Sequence, residues 1–504
     1  MKLNFDSRRC LPQRIILQAG GLALVGLLIL TGHVRADDDP ASSADPSSPP
    51  TAHQPPPLPV PATFKHPGLL NSMEELQFIK QKITAVEEPW KSAFEQMKGS
   101  KWADLKYTPH PHETCCSGFF GAGGGAGGTF DESDDANAAY TQALMWIFTD
   151  NEQYAQNAVK ILNAWQILQG HGGGNWWLQA AWEGSEWPEA AELIRATYPK
   201  WSPDDIAKFS AMLDRAYLPV LHKQMGYGNR ELAACNAMMA IGVFNNDRAA
   251  FAEGMAHWVS YVPCWIYMTS DGPAPRKADY WLTSPSNDDL AKMDAGLFPD
   301  VKQSWIYYDL DAYMKANKLG NDRGIANKSQ DDLWNNAPPA TYVDGLCEET
   351  FRDLGHCELG FSQMINAAEI AWHQGIDLYA LDDKRITAFM ELQSFLRMGD
   401  PIPKAFYSIQ ATGLNGTYEI AYNHYHNRMG MELPKTDALI QQFLRPCLKK
   451  EMIVSPGFCK MRTEVGLRAD KITYPTDLDT AWEAMTHAEL NAKGNLPAEN
   501  LSGK

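Results

Sequence analysis

Helical segments that end in short polar turns recur along this 504-residue sequence. Residues 135–148 place apolar side chains on one helical face, and the turn at 149–151 leads into a second predicted helix at 152–168. The same arrangement, a helix that ends at a polar turn and is followed by another helix, returns at 232–244 and at 360–372. The chain therefore repeats a helical hairpin.

The three hairpins share a further feature, because each turn is followed within a few residues by an aromatic residue and an alanine. The pairs are Tyr154-Ala155, Phe251-Ala252 and Tyr379-Ala380. Alternation of apolar and polar residues, which marks strands, is scarce. Repeated hairpins predict a mainly α fold, either a solenoid or its closed form, an α/α toroid with long loops (an incomplete helical-hairpin barrel). In a toroid, we expect a cleft at one end of the inner helices.

The first 36 residues have the pattern of an export signal. Arg8, Arg9 and Arg14 precede an uncharged apolar stretch at 15–30, and Val34-Arg35-Ala36 resembles a cleavage site. A retained membrane anchor is the alternative, but the stretch is short for a span and a polar segment follows it. We expect a secreted or periplasmic protein without stable membrane insertion once the signal is removed.

Composition divides the rest of the chain. Residues 37–63 are mostly Asp, Ser, Ala and Pro, which predicts an extended linker. The folded domain is expected at 64–490, followed by a tail at 491–504. Residues 271–340 interrupt the helical rhythm with Pro, Asp and Asn, which predicts long loops that form substrate walls or lids. These acidic loops could hold a structural calcium ion, although we expect that the protein requires no cofactor.

The chain carries a formal net charge of −17. This charge argues against a nucleic acid partner, because phosphate binding needs a basic face. An acidic polysaccharide would need a locally basic cleft within this acidic body. The 16 Trp and 19 Tyr offer flat faces that suit sugar rings, although large helical proteins also pack aromatic residues in their cores. Eight cysteines beyond the predicted signal would permit disulfides in an exported chain.

Two segments carry polar residues just before an apolar helix. Asn229 either caps the helix that follows it or presents an amide that hydrogen-bonds a substrate carboxylate, and the sequence supports both interpretations equally. Glu349, Arg352 and His356 are three and four residues apart, so a helix would place them on one face. A salt-bridged surface helix is the alternative for the second segment. The apolar run after His356 favours a site that faces inward.

The segment at 418–428 concentrates imidazole, phenol, amide and guanidinium groups. Its candidate site residues are Tyr422, Asn423, His424, Tyr425 and Arg428. Two of the 13 histidines of the chain fall here, which favours a site over a polar helix with satisfied aromatic residues. A zinc centre is not indicated, since no His-Glu-x-x-His pattern is present.

Several of these stretches resemble the alginate-lyase-like polysaccharide lyases, and the resemblance spans roughly residues 66–450. The motifs that carry it are His66-Pro67-Gly68-Leu69-Leu70, Asp135-Ala136-Asn137-Ala138-Ala139-Tyr140, Ala181-Trp182-Glu183-Gly184, Ala190-Ala191-Glu192, Gly228-Asn229, Arg352-Asp353-Leu354-Gly355-His356, Ala368-Glu369-Ile370-Ala371-Trp372 and Tyr422-Asn423-His424. The resemblance implies an α/α toroid and β-elimination at C5 of a polyuronate. Alginate (polymannuronate) and glucuronan are such substrates.

The resemblance also implies roles for the candidate residues. Asn229 would hold the substrate carboxylate, and His356 would neutralise it or act as the base. Tyr422 would transfer the proton, with Tyr425 as the alternative and with His424 assisting. The remaining substrate-binding residues would be Arg352, Glu349, Trp182, Asn423 and Arg428. The chain departs from better-known alginate lyases in two places: Asn229-Arg230 replaces an Asn-His pair, and Leu359 stands where a tyrosine would follow Arg352 by seven residues.

Two other classes of protein fit parts of the sequence. An inverting glycoside hydrolase, which can share the toroid fold, needs two carboxylates that flank the scissile bond. Glu183, Glu348, Glu349 and Asp353 could supply them. A non-catalytic polysaccharide-binding protein would bind the polymer without creating new chain ends.

Overall fold

The computed structural model describes residues 58–117, 127–173, 176–222, 228–272, 275–276, 343–350, 354–398, 418–445 and 482–497. Most of the residues at which we predict an export signal (1–36), a linker (37–63) and long loops (271–340) lie outside these ranges, as do Arg352 and Asp353. The predicted domain boundaries therefore stay predictions. Within the described part, no helix is long and apolar enough to cross a membrane.

The predicted hairpins are present, and a further one lies between the first two. Each hairpin consists of a long inner helix followed by an outer helix that returns. The inner helices are α3 (Thr129–Thr149), α5 (Trp176–Thr197), α8 (Gly228–Asn245) and α10 (Leu354–His373). The outer helices are α4 (Glu152–Trp165), α6 (Pro203–Ala216) with the short α7 (Leu218–Leu221), α9 (Arg248–Trp265) and α11 (Asp383–Met398). The expected mainly α, α/α toroid fold is confirmed.

The inner helices pack side by side in chain order, α3 on α5, α5 on α8 and α8 on α10. Small residues allow this close approach: a Cβ added to Gly184 of α5 would lie 3.1 Å from the Ala237 side chain of α8. Because an outer helix reverses the chain after each inner helix, the inner helices run in the same direction. Their first turns therefore meet at one end of the toroid.

Shorter elements flank the hairpins. Before them lie α1 (Met73–Thr84) and α2 (Trp90–Lys98), and after them α12 (Tyr418–Tyr422), α13 (Pro434–Leu439) and α14 (Glu483–Thr486). Residues Asn423–Arg428 continue α12 as a π-helix, and Ile440–Leu444 continue α13 in the same way. The strands β1 (Thr114–Ser117) and β2 (Gly170–Gly173) form a parallel pair that contacts α5 near its start.

The inner helices begin one turn or more earlier than the apolar pattern predicts. The pattern predicts starts at 135, 232 and 360, whereas α3, α8 and α10 begin at 129, 228 and 354. The first turns carry polar residues that face a shared interior, so they lack the apolar stripe by which a helix is recognised. These polar first turns are where the candidate site lies.

Candidate active site

Asn229 lies in the first turn of α8 and binds a carboxylate. Its backbone N–H donates to Glu349 Oε2 at 2.8 Å, and its Nδ2 lies 3.0 and 3.1 Å from the two carboxylate oxygens of Glu349. Gly228 permits this contact, because its φ is +66° and an added Cβ would lie 3.0 Å from the Glu349 carboxyl carbon. Asn229 is thus inside the helix rather than its cap, and its donors form a carboxylate-binding site.

Glu348 lies beside this site in a different environment. Its Oε2 accepts a hydrogen bond from the Tyr261 hydroxyl at 2.5 Å and lies 3.2 Å from the backbone nitrogen of Gly228. Burial, and then the neighbouring Glu349 carboxylate, raise the pKa of Glu348 well above its ordinary value. Burial and the adjacent carboxylate thus both oppose ionisation of Glu348.

His356 lies at the level of Asn229 on the neighbouring inner helix. Seven residues further along each helix, Asn236 Nδ2 donates to Gln363 Oε1 at 2.9 Å. Seven residues are about two helical turns, so Asn229 lies on the same face of α8 as Asn236, and His356 lies on the same face of α10 as Gln363. Asn229 and His356 are therefore at the same height, about two turns closer to the amino-terminal ends of their helices than the Asn236–Gln363 contact. The His356 residue is 6% exposed, as the expectation of an inward-facing imidazole requires. The structure brings Asn229, Glu349 and His356 to the same end of the toroid.

The expected helical stripe of Glu349, Arg352 and His356 is not formed as predicted. Glu349 precedes α10 and lies in a turn segment, in which the Thr350 backbone N–H donates to the Cys347 carbonyl at 3.0 Å. Gly345, with a φ of +87°, enters this segment in a left-handed conformation that suits glycine. Glu349 therefore reaches across to α8 instead of sharing a helical face with His356. Arg352 lies outside the described residues.

A second polar cluster, which the sequence reasoning missed, lies at the start of α3. Glu132 Oε1 lies 2.9 Å from His171 Nε2 and accepts a hydrogen bond from the Tyr217 hydroxyl at 2.5 Å. Burial acts to raise the pKa of Glu132, but His171 and the hydrogen bonds lower it below its ordinary value. Among the described residues, none hydrogen-bonds to His171 Nδ1. No local spacing links these three residues, since they come from α3, β2 and the start of α7.

The start of α5 extends this cluster toward α8. Glu183 Oε1 accepts hydrogen bonds from Ser133 Oγ at 2.5 Å and from Gln179 Nε2 at 3.1 Å. Trp182, expected to bind substrate, is instead buried in the apolar core between the helices. Its indole Nε1 makes no hydrogen bond to the described residues. Packing in the core accounts for Trp182, so the structure does not support the expected substrate contact.

His424 and Arg428 lie at the opposite end of α10 from His356. The His424 ring stacks on Tyr379 at 3.8 Å between centroids, and its centroid lies 5.0 Å from that of Trp372. Trp372 is 16 residues after His356 in one helix, a separation of about 24 Å. Burial, and then the Arg428 charge, lower the pKa of His424 to about 3. The expectation that His424 joins His356 in one site is thus corrected: it is a neutral packing residue elsewhere.

Arg428 belongs to a buried charge network rather than to the substrate cleft. Its Nη1 and Nη2 donate to the two Glu369 oxygens at 3.0 and 2.7 Å, and Nη2 lies 3.5 Å from Glu75 Oε1. His373 Nε2 lies 2.8 Å from Glu75 Oε2. Burial opposes ionisation of Glu75, but His373 and Arg428 lower its pKa to about 2. The network joins α1, α10 and the segment after α12.

This network includes the one group of three side chains, among the described residues, whose geometry would suit a metal ion. The group is Glu75, Glu369 and His373. The Arg428 guanidinium contacts both carboxylates of the group and so supplies the positive charge there. The structure therefore explains the cluster as an ion-pair network.

The other candidates of this segment also have structural partners. The Tyr425 hydroxyl donates to the Tyr379 carbonyl at 3.1 Å, and Asn423 Nδ2 donates to Asn491 Oδ1 at 2.8 Å. The Tyr422 hydroxyl donates to Asp437 Oδ1 at 2.9 Å, and burial and Asp437 raise its pKa. None of the described contacts of Tyr422, Asn423 or Tyr425 reaches Asn229 or His356.

One tyrosine of α12 lies nearer the amino-terminal end of α10. The Tyr418 ring centroid is 5.1 Å from that of Phe361, which is five residues after His356. Because Arg428 lies beside Glu369 at the far end, the segment 418–428 runs alongside α10, with Tyr418 toward His356. Tyr418 stands in the segment that the sequence singled out, but the family resemblance assigned the proton transfer to Tyr422.

Comparisons with known proteins gave a family match for part of the chain and matches to solved structures. Residues 132–286 match the sequence model of the alginate lyase family. The fold is similar to the crystal structure of alginate lyase A1-III from Sphingomonas species A1, with 12% identity, a TM-score of 0.44 and coverage of 74% of this chain and 93% of that one. An alginate lyase from Bacteroides ovatus matches with 14% identity, a TM-score of 0.41 and coverage of 75% and 96%. No curated protein matches the sequence.

Proposed function

We propose that this chain, of which residues 132–286 match the alginate lyase family, is a polysaccharide lyase that cleaves a polyuronate such as alginate (polymannuronate) or glucuronan by β-elimination. One observation carries the proposal. Asn229 uses its backbone and side-chain N–H groups to bind a carboxylate, at the level of His356. A uronate unit offers the same chemical group. The carboxylate of Glu349 would be exchanged for that of the substrate.

The chemistry of β-elimination fits these residues. The C5 proton of a uronate is weakly acidic, so the adjacent carboxylate must be held and its developing charge stabilised as the proton leaves. Asn229 donates hydrogen bonds to that carboxylate, and Arg352, just before α10, would add positive charge. His356 removes the C5 proton, the C4–O4 bond breaks, and a proton donor returns a proton to O4. The products are a new reducing end and an unsaturated uronate.

Tyr418, rather than Tyr422, is the proposed proton donor to O4. Tyr418 lies toward the His356 end of α10, whereas the Tyr422 hydroxyl is engaged by Asp437. We expect Tyr418→Phe to lower kcat by about 10²-fold or more, as loss of a general acid does. Tyr422→Phe, the matched control on the same helix, should keep kcat within about threefold. A result in which Tyr422→Phe is inactive and Tyr418→Phe is active would return the role to Tyr422.

The proposal predicts activity on polyuronates and not on neutral polymers. We expect the full-length chain to release products that absorb ultraviolet light from alginate (polymannuronate) or glucuronan, because elimination leaves a double bond conjugated to the carboxylate. A neutral glucan and a carboxyl-reduced polyuronate serve as controls. Chain cleavage of a polyuronate without this absorbance would contradict β-elimination.

A second candidate function is supported by Glu348. An inverting glycoside hydrolase needs a protonated carboxyl group as general acid, and burial raises the pKa of Glu348, which lies beside the carboxylate site of Asn229. In that mechanism water would attack the sugar and no double bond would form. The two functions therefore differ in the chemical nature of their products.

We propose that the protein acts outside the cytoplasm. Its amino-terminal sequence has the pattern of an export signal, and Cys116 is disulfide-bonded, which suits an oxidising compartment. The other five described cysteines are buried thiols. Detection of the mature chain in the periplasm or the medium, beginning near residue 37, would test this localisation. A cytoplasmic chain that keeps its first residues would contradict it.

A further inference from the structure

Arg230 follows Asn229 in the first turn of α8 and is held over an aromatic ring. Its guanidinium carbon lies 5.5 Å from the centroid of Trp177, which stands in the first turn of α5. Trp177 is 3% exposed, whereas Arg230 is partly exposed. A cation over an indole face is attracted by the ring's electrons, and the ring limits the movement of the long side chain. Arg230 is therefore oriented without being removed from solvent.

Several carboxyl groups lie near the amino-terminal ends of the inner helices. Glu349 accepts a hydrogen bond from Asn229, and Glu183 and Glu132 lie near the starts of α5 and α3. The whole chain has a formal charge of −17. A polyanion that approaches this end meets repulsion unless a local cation offsets it. Arg230 adds a positive charge at this end, one residue after Asn229.

We propose that Arg230, positioned by Trp177, binds a carboxylate of the polyuronate in the subsite next to the cleaved unit. This inference rests on the proposed function and deepens it by naming a residue that selects acidic polymers. The planar guanidinium can form two parallel hydrogen bonds to a carboxylate, which a lysine ammonium cannot reproduce. Since Asn229 already holds the carboxylate at the reacting unit, Arg230 contributes mainly to substrate binding.

Two substitutions at position 230 separate charge from packing. Arg230→Met keeps an extended apolar side chain against Trp177 and removes the charge, whereas Arg230→Lys keeps the charge and removes the planar fork. We expect Arg230→Met to raise KM for the polyuronate by about 10- to 100-fold, the usual effect of a lost charged hydrogen bond, with kcat within about threefold. The KM of Arg230→Lys should lie between that of the wild type and that of Arg230→Met. Added salt should raise the KM of the wild type more than that of Arg230→Met.

A binding measurement distinguishes failure of this inference from failure of the proposed function. The dissociation constant of an oligouronate is measured by calorimetry for the full-length wild type and both variants. Weaker binding by Arg230→Met supports the subsite even if no elimination product forms on any polymer. Wild-type binding and wild-type KM in folded Arg230→Met would overturn it. If Arg230→Met does not fold, equal KM and binding for Arg230→Lys and the wild type would overturn the fork-specific contact.

Discussion

His356→Gln is expected to lower kcat/KM on a polyuronate by about 10³-fold, within the range that a general base contributes. Glutamine keeps a similar length and can still hydrogen-bond, but it cannot accept and release a proton at neutral pH. His356 lies about two helical turns before the Asn236–Gln363 contact, at the same height as Asn229. Asn229 is where the substrate carboxylate would bind. Initial rates of unsaturated product formation measure the effect, and circular dichroism verifies the fold.

His424→Gln provides the matched control at the other end of α10. His424 packs against Tyr379 and Trp372, and burial lowers its pKa to about 3, so it stays neutral and does not exchange protons near neutral pH. We expect this variant to lose thermal stability while kcat/KM stays within about threefold of the wild type. An inactive but folded His424→Gln, together with an active His356→Gln, would move the site to the opposite end of the toroid.

Arg428→Met is expected to lower the free energy of unfolding by about 3–5 kcal/mol, because it leaves buried carboxylates without their cation. Glu369 is fully buried and accepts two hydrogen bonds from Arg428, and Arg428 lowers the Glu369 pKa well below its usual range despite burial. The Glu75 carboxylate also loses the nearby Arg428 charge. Denaturant unfolding measures the change.

The control for this prediction removes both charges. Arg428→Met combined with Glu369→Leu should be more stable than Arg428→Met alone, since the double variant leaves no unpaired Glu369 carboxylate. Both variants should keep kcat/KM within about threefold at a temperature at which they are folded. A folded Arg428→Met with normal stability and no activity would show that Arg428 acts on the substrate instead of holding α1 to α10.

The helical architecture could be predicted from sequence because it depends on local pattern. The apolar stripe of each hairpin and the polar turn after it are visible in a short window, and α3, α8 and α10 are found where that pattern predicts them. Their starts could not be predicted, because the first turns carry residues such as Glu132, Asn229 and His356. Polar residues that line an interior break the pattern in the same way as a loop does.

The candidate site could be predicted only in part, because its contacts join distant parts of the chain. Asn229 was found as a possible carboxylate ligand, but its contact with Glu349 spans 120 residues. Local residue density was misleading at 418–428, where His424 and Arg428 serve packing and a buried ion pair. Dense polar residues in a sequence thus indicate a buried network as readily as an active site. The cluster of Glu132, His171 and Tyr217 has no local signature.

The most direct test of the central claim, β-elimination at the amino-terminal end of the inner helices, is cleavage of a polyuronate in water labelled with the heavy oxygen isotope. Product masses are compared for the wild type and His356→Gln. Elimination predicts wild-type products with unsaturated ends that lack one water and carry no label from bond cleavage, and almost no products from His356→Gln. Saturated products that carry one labelled oxygen at each cleaved bond would contradict the account and indicate a hydrolase.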